Sequence, residues 1–189
     1  MGLALAAAAA ARGAEVTLIA ANVALPEPAG VRRLDVETAA ELADVLEREF
    51  SSAHVLLMAA AVADFRPASA ADGKIARQGS GGLELHLEET EDILARLAAT
   101  RREEQTIVGF AAEHGPEAIE RARAKLDRKG AAAIVFNDVS RTDIGFDAEL
   151  NEVTIVERGS EHHVALSPKD EVAAAVLDRV EALRQPSIV

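Results

Sequence analysis

The chain is 189 residues long, enough for one domain, and 49% hydrophobic, enough for a core, but only 3% aromatic with no Trp or Tyr, so Ala, Val, Leu and Ile must build that core. A formal net charge of −12 excludes the basic stripe that a nucleic-acid face needs, although a few local cations suffice to hold a nucleotide in a pocket. Cysteine is absent, which excludes disulfides, thiolate metal sites and a Cys nucleophile and fits a cytoplasmic protein.

"LALAAAAAARGA" reads as an Ala-rich helix stopped by Gly13. Its apolar run ends at Arg12, too early to span a bilayer, and no basic stretch precedes it, so neither a membrane span nor a signal peptide is expected. "EVTLIAA" and the weaker "VRRLDV" read as strands. "TAAELADVLEREF" is a helix: Thr38 and Glu41 have capping-box spacing, and Leu42, Val45 and Leu46 mark the apolar stripe. "HVLLMAAA" is a continuous apolar strand, of the kind buried on both faces.

Residues 66–82 carry Pro67, Gly73, Gly79, Gly81 and Gly82 and read as a mobile loop. "LELHLEE" alternates as a half-exposed strand, and "TEDILARLAAT" is a helix with Thr90 as its N-cap. "QTIVGFAAE" is a strand, "PEAIERARAKLDRKG" a helix from Pro116 to Gly130, and "AAIVFND" a strand. "NEVTIVER" and "HHVALS" form a hairpin, and "SPKDEVAAAVLDRVEAL" is a last helix with Ser167 capping and Pro168 at its first position.

This alternation predicts an α/β fold: a Rossmann-like, mostly parallel sheet with helices on both faces and a C-terminal antiparallel hairpin, in a single domain over residues 1–189. The opening helix is one that, in doubly wound folds, follows a first strand and a glycine-rich phosphate turn. That strand and loop are expected to be lacking; the alternative is a fold that begins with a helix.

Ligands of open α/β sheets bind beyond the carboxyl ends of the strands. Three consecutive strand ends carry small residues and then a polar group: Ala61-Val62-Ala63-Asp64, Gly109-Phe110-Ala111-Ala112-Glu113 and Asn137-Asp138. Each alone is also ordinary turn chemistry. Lys74 lies in the glycine-bounded loop, and Lys125 and Lys129 share one helix face, either as a phosphate clamp or as solvated complements to the helix dipole. The five histidines lack ligand spacing, and "GSGG" at 79–82 lacks the strand–helix context of a phosphate loop.

Together "AAAVADFRP", the "KI" that starts at Lys74, "TEDIL", "VGFAAE", "KLDRKG" and "IVFNDVS…GF…NEVTIV" resemble the phosphopantothenate–cysteine ligase family, the synthetase half of the bifunctional coenzyme A biosynthesis flavoprotein. The resemblance runs in order from the first residue to about residue 156. It implies ligation of 4′-phosphopantothenate to cysteine with CTP and Mg²⁺: the carboxylate attacks the α-phosphate, pyrophosphate leaves, and the cysteine amine displaces CMP from the acyl-cytidylate. Met58, Ala59 and Ala60 are then expected to line the nucleotide site, with Asp64 near the metal-bound phosphates. Glu91, Asp92, Ile93, Leu94, Phe110, Lys125 and Lys129 complete the nucleotide contacts, and Lys74 closes over the substrate as a catalytic cation. A homodimer pairing around the late strands is implied as well.

The family's Ser-Ser-Gly-Lys stretch and the Asn before it would stand ahead of Met1, so little or no ligase activity is expected of these residues alone. Ala132 stands where an Asp is expected, Arg77 near a usual second lysine, and His114 where Thr is common. No flavin site is expected in this portion. Two competing classes remain: a nucleotide-binding Rossmann-like module without turnover, and a nicotinamide-dependent oxidoreductase. The second lacks both G-x-G-x-x-G and an acid closing "VTLIAAN".

Overall fold

The computed structural model describes residues 1–69, 73–75, 83–115, 117–138 and 148–185, and in them the alternating segments become five helices and nine strands. Helix α1 (Gly2–Ala11) ends as its sequence predicts. Gly13 takes φ 84°, its N–H donates to the Ala10 carbonyl at 2.9 Å, and the Ala14 N–H reaches back to Ala9 at 3.1 Å. This pattern satisfies carbonyls that a helix end leaves open, and glycine adopts the left-handed angle without steric cost.

Strands β1 (Val16–Ala21) and β2 (Val31–Val36) pair in parallel. Helix α2 (Ala39–Phe50) opens on the expected capping box: the Glu41 N–H donates to Thr38 Oγ1 at 3.1 Å, and the Glu41 carboxylate accepts the Thr38 N–H at 3.3 Å. Then follow β3 (Val55–Met58), β4 (Phe65–Pro67), β5 (Leu87–Glu89), α3 (Ile93–Thr100), β6 (Thr106–Glu113), α4 (Ala118–Lys129), β7 (Ala133–Asp138), β8 (Leu150–Glu157), β9 (Ser160–Pro168) and α5 (Lys169–Arg184).

The main sheet has the order β3-β6-β7-β8-β9, parallel from β3 to β7 and antiparallel from β7 to β9. The α/β class, the parallel centre and the late hairpin are therefore as expected. The sheet is divided, however: β1 and β2 form their own pair, and β3 is hydrogen-bonded to β6 and not to β1.

Side chains alternate across β6 and β7 and feed two apolar layers. Ile107 and Ile134 join Leu46, Leu94, Leu97 and Leu126 of α2, α3 and α4 on one face. Val108 and Val135 join Leu5 of α1 and Val172 and Val176 of α5 on the other. Ile107, Ile134 and Val135 are each 0% exposed, as parallel strands covered on both faces require. Each such side chain contributes about 1.5–3 kcal/mol on burial.

Three boundaries differ from the sequence reading. Phe65–Pro67, placed at the opening of a loop, form β4, which pairs antiparallel with β5 in the register Phe65↔Glu89 and Pro67↔Leu87; the first part of "LELHLEE" stays outside the ladder. Helix α3 is capped by Asp92 and not by Thr90: Asp92 Oδ1 accepts the Ala95 N–H at 3.1 Å. The last helix starts at Lys169 with no side-chain cap, because Ser167 is held in the β9 ladder opposite Asn151. Residues 70–72, 76–82, 116 and 139–147, which include Arg77, Gly79, Gly81, Gly82 and Pro116, lie outside the described residues.

Candidate functional site

Beyond the carboxyl ends of β3 and β6 lies a cleft of about 130 Å³. Three groups of residues from four sequence segments build it. The first is the run leaving β3: Met58, Ala60, Val62, Ala63 and Asp64. The second is the entry to α3, Thr90 to Leu94, and the third is Phe110 on β6 with Lys125 and Lys129 of α4. The Thr90 N–H donates to the Asp64 carbonyl at 2.8 Å, so the first two segments are stitched together at the mouth.

Gly109 explains how α3 comes so close to the sheet. A Cβ at that position would stand 2.8 Å from Leu94 Cδ2 and 2.8 Å from Ile134 Cδ1. The missing side chain therefore lets Leu94, in the first turn of α3, seat against β6. That seating carries Asp92 and its helix N-terminus to the cleft.

The two lysines have different partners. Lys125 Nζ donates to the Phe110 carbonyl at 2.8 Å. Burial, with Lys129 and Arg128 nearby, pulls its pKa below the ordinary lysine value against the opposing pull of Glu113 and Asp64. Lys129 Nζ is paired with Asp92 Oδ2. Burial disfavours the Asp92 carboxylate, but the Lys129 ammonium and the Ala95 N–H outweigh it and hold its pKa below the usual aspartate value. Glu91 lies 2.9 Å from the Arg96 guanidinium, which also reaches Glu47 of α2 at 3.1 Å.

Ten of the twelve residues named from sequence line this one cleft: Met58, Ala60, Asp64, Glu91, Asp92, Ile93, Leu94, Phe110, Lys125 and Lys129. Ala59 does not; it packs on the opposite face, against the start of α1. Lys74 does not either; it is exposed and outside the lining. The third strand end is not in the lining either, and its Asn137 Nδ2 donates to Asn151 Oδ1 at 2.7 Å in the neighbouring β8. Val62, Ala63 and Thr90 line the cleft without having been singled out. Val62 and Ala63 sit between two named positions on one strand exit, which was the available signal.

Among the described residues no group of three or more His, Cys, Asp or Glu is placed to hold a metal. His162 and His163 face apart, toward Glu157 at 3.7 Å and Glu152 at 3.5 Å. The cleft thus offers an apolar floor, the backbone of Phe110, whose ring packs in the layer on the opposite face of the sheet, two ammonium groups and the first turn of an eight-residue helix. Such a set suits a ligand with an apolar part and an anionic part.

Comparison with known proteins agrees. The C-terminal domain of the DNA/pantothenate metabolism flavoprotein matches residues 1–183. The chain is 40% identical over 185 residues to a cysteine/cysteine sulfinic acid decarboxylase of an unknown prokaryotic organism, covering 97% of this chain and 51% of that protein. It is 39% identical over 179 residues to the coenzyme A biosynthesis bifunctional protein CoaBC of Vibrio cholerae, covering 94% of this chain and 44% of the relative. The chain thus spans about half the length of the curated relatives it matches. A crystal structure of the C-terminal domain of a coenzyme A biosynthesis bifunctional protein CoaBC superposes with a TM-score of 0.79 at 32% identity, over 96% of this chain and 81% of that one. The family pointed to by "AAAVADFRP", "VGFAAE" and "KLDRKG" is therefore the one to which this chain belongs: the C-terminal domain of the DNA/pantothenate metabolism flavoproteins.

Proposed function

We propose that the cleft binds CTP and that the domain ligates 4′-phosphopantothenate to cysteine in coenzyme A biosynthesis. The observation that carries this is the convergence of ten residues, drawn from four separated sequence segments, on one cleft at the strand ends.

In the proposed reaction a carboxylate oxygen of phosphopantothenate attacks the α-phosphorus of CTP. The bond from that phosphorus to the bridging oxygen breaks, and pyrophosphate leaves. The cysteine amine then attacks the acyl carbon, CMP departs with the bonding pair, and the amine gives up a proton. Negative charge gathers on the α-phosphoryl oxygens and on the departing pyrophosphate. Lys125, Lys129 and the α3 N-terminus stand where preorganised positive charge stabilises that change without reorganising. The backbone at Met58 and Ala60 supplies hydrogen-bonding groups to the base, while Phe110, whose ring was expected beside the base or ribose, contributes its carbonyl as the seat of Lys125. Lys74, now outside the cleft, would act as a further cation at the phosphates.

Mg²⁺ fits this donor set in one way. Asp64 would supply a carboxylate, and phosphate oxygens and water would be needed for the remaining positions, as is usual for a cation that keeps much of its hydration. When bound, it would neutralise phosphate charge.

A homodimer belongs to the same proposal. Its support is the arm formed by β4 and β5, where Phe65, Leu83, Leu85 and Leu87 are all more than half exposed. That is a more apolar surface than the β8–β9 hairpin named from sequence, whose outer strand carries Glu161, His162 and His163.

Pyrophosphate release by the full-length protein that contains these residues, measured with CTP, phosphopantothenate and cysteine, tests the proposal. The expected result is release that requires both CTP and phosphopantothenate. CTP binding without release would reduce the domain to a nucleotide-binding module, and tighter binding of ATP or NADH than of CTP would refute the nucleotide assignment.

A further inference from the structure

The pairing of Asp92 with Lys129 has a consequence for how the cleft handles anions. Asp92 uses its two oxygens differently: Oδ1 accepts the Ala95 N–H at 3.1 Å and caps α3, while Oδ2 holds Lys129 Nζ. Lys125, in contrast, rests on a backbone carbonyl, which is a neutral acceptor. Of the two ammonium groups in the cleft, one is thus neutralised by a carboxylate of the cleft wall and the other is not.

We infer that Asp92 is a positioning residue that competes with the bound anion for Lys129, so that it lowers the cleft's affinity for polyphosphate and favours release of pyrophosphate. The inference rests on the proposal that the cleft takes a polyphosphate. Its physical basis is charge balance. An incoming phosphate oxygen must share or displace the carboxylate at Lys129, and the displaced Asp92 stays fixed beside the phosphate by its cap bond. A like charge held at contact distance in a partly desolvated site opposes binding. The arrangement still has a use, because Asp92 keeps the Lys129 side chain extended into the cleft when no ligand is there.

Asp92→Asn separates the two roles. Asparagine caps a helix about as well as aspartate, so the α3 entry is retained. It cannot neutralise an ammonium group, so Lys129 is released to the ligand. Inorganic pyrophosphate and CTP are titrated by calorimetry into the wild-type protein, Asp92→Asn, Lys129→Ala and the double variant. The expected result is binding by Asp92→Asn a few-fold tighter for pyrophosphate, up to roughly fivefold, with a smaller gain for CTP. The gain should vanish when Lys129 is also replaced, and pyrophosphate should become a stronger product inhibitor of Asp92→Asn. A residue that merely shapes the cleft would weaken binding when changed, so equal or weaker binding by Asp92→Asn overturns the inference. So does a gain that persists without Lys129. If the wild-type protein binds neither probe, the proposed function falls, and this inference falls with it.

Discussion

Replacing Lys125 by methionine should move stability and ligand affinity in opposite directions. Methionine keeps an unbranched stem of similar length and deletes the charge. In the folded protein that charge is held at a half-buried position, with Lys129 and Arg128 adding repulsion, so its pKa lies below the ordinary value. A lysine whose folded pKa is depressed costs stability while it is protonated in both states. The cost is fully present below the folded pKa and is relieved as pH rises toward the unfolded value near 10.4. Lys125→Met should therefore melt at the same or a slightly higher temperature than wild type at pH 7. Any advantage should shrink as the pH approaches 10. Affinity should fall, because one charged hydrogen bond to a phosphate is worth about 1.5–3 kcal/mol, or roughly 10- to 150-fold in Kd. Calorimetric titration with CTP and thermal melts at pH 7 and 9.5 measure both. A variant that melts several degrees lower at pH 7 and binds CTP as well as wild type would show that Lys125 is a packing residue and not an anion contact.

Other perturbations test the frame that holds the cleft. Gly109→Ala forces a methyl group to within 2.8 Å of Leu94 and Ile134, and overpacking of this kind costs about 1–3 kcal/mol by urea denaturation, with α3 and hence CTP affinity disturbed as well. Thr38→Ala removes the hydroxyl of the α2 capping box and should cost about 1 kcal/mol without changing CTP affinity. Arg179 donates twice to Glu157, both at 2.9 Å, and outweighs the burial that disfavours this carboxylate, so its folded pKa is depressed. Stability from this pair is present above the unfolded glutamate value and lost as pH falls through the folded one. Arg179→Leu should cost about 2 kcal/mol at pH 7, and the difference from wild type should close in melts below about pH 4.

Much of the fold was legible because the periodicities are strong. The capping box at Thr38 and the glycine stops at Gly13 and Gly130 each state a local preference that tertiary packing then follows, whereas the apolar run "HVLLMAAA", expected as a strand buried on both faces, is a strand only over Val55–Met58 and buries alternate residues there. The errors came where two local preferences competed. Thr90 and Asp92 are both capping residues, and which one caps depends on where Leu94 can seat, which depends on Gly109 in a strand fifteen residues further on. Ser167-Pro168 is a sound helix entry by itself, but the bond between β8 and β9 extends through Ser167 and delays the helix. The division between β1 and β3 could not be read from either strand, since pairing partners are a property of the assembled sheet.

The cleft was legible for a different reason: a long ordered resemblance carried residues that no spacing rule connects. Asp64 and Lys125 lie sixty-one positions apart, and the fold brings them to one cleft because parallel strands put their carboxyl ends on the same edge. What the sequence could not supply is the pairing of charges. Lys125 and Lys129 are four residues apart on one helix face, and their spacing suggests a matched clamp. The structure gives one of them a neutral backbone acceptor and the other a carboxylate. The difference arises because α4 passes the end of β6 at Lys125 but the capped start of α3 one turn later, at Lys129. Two residues that are equivalent by sequence thus differ in how much of their charge a ligand can use, and under the proposed function that difference would set the balance between holding a nucleotide and releasing pyrophosphate.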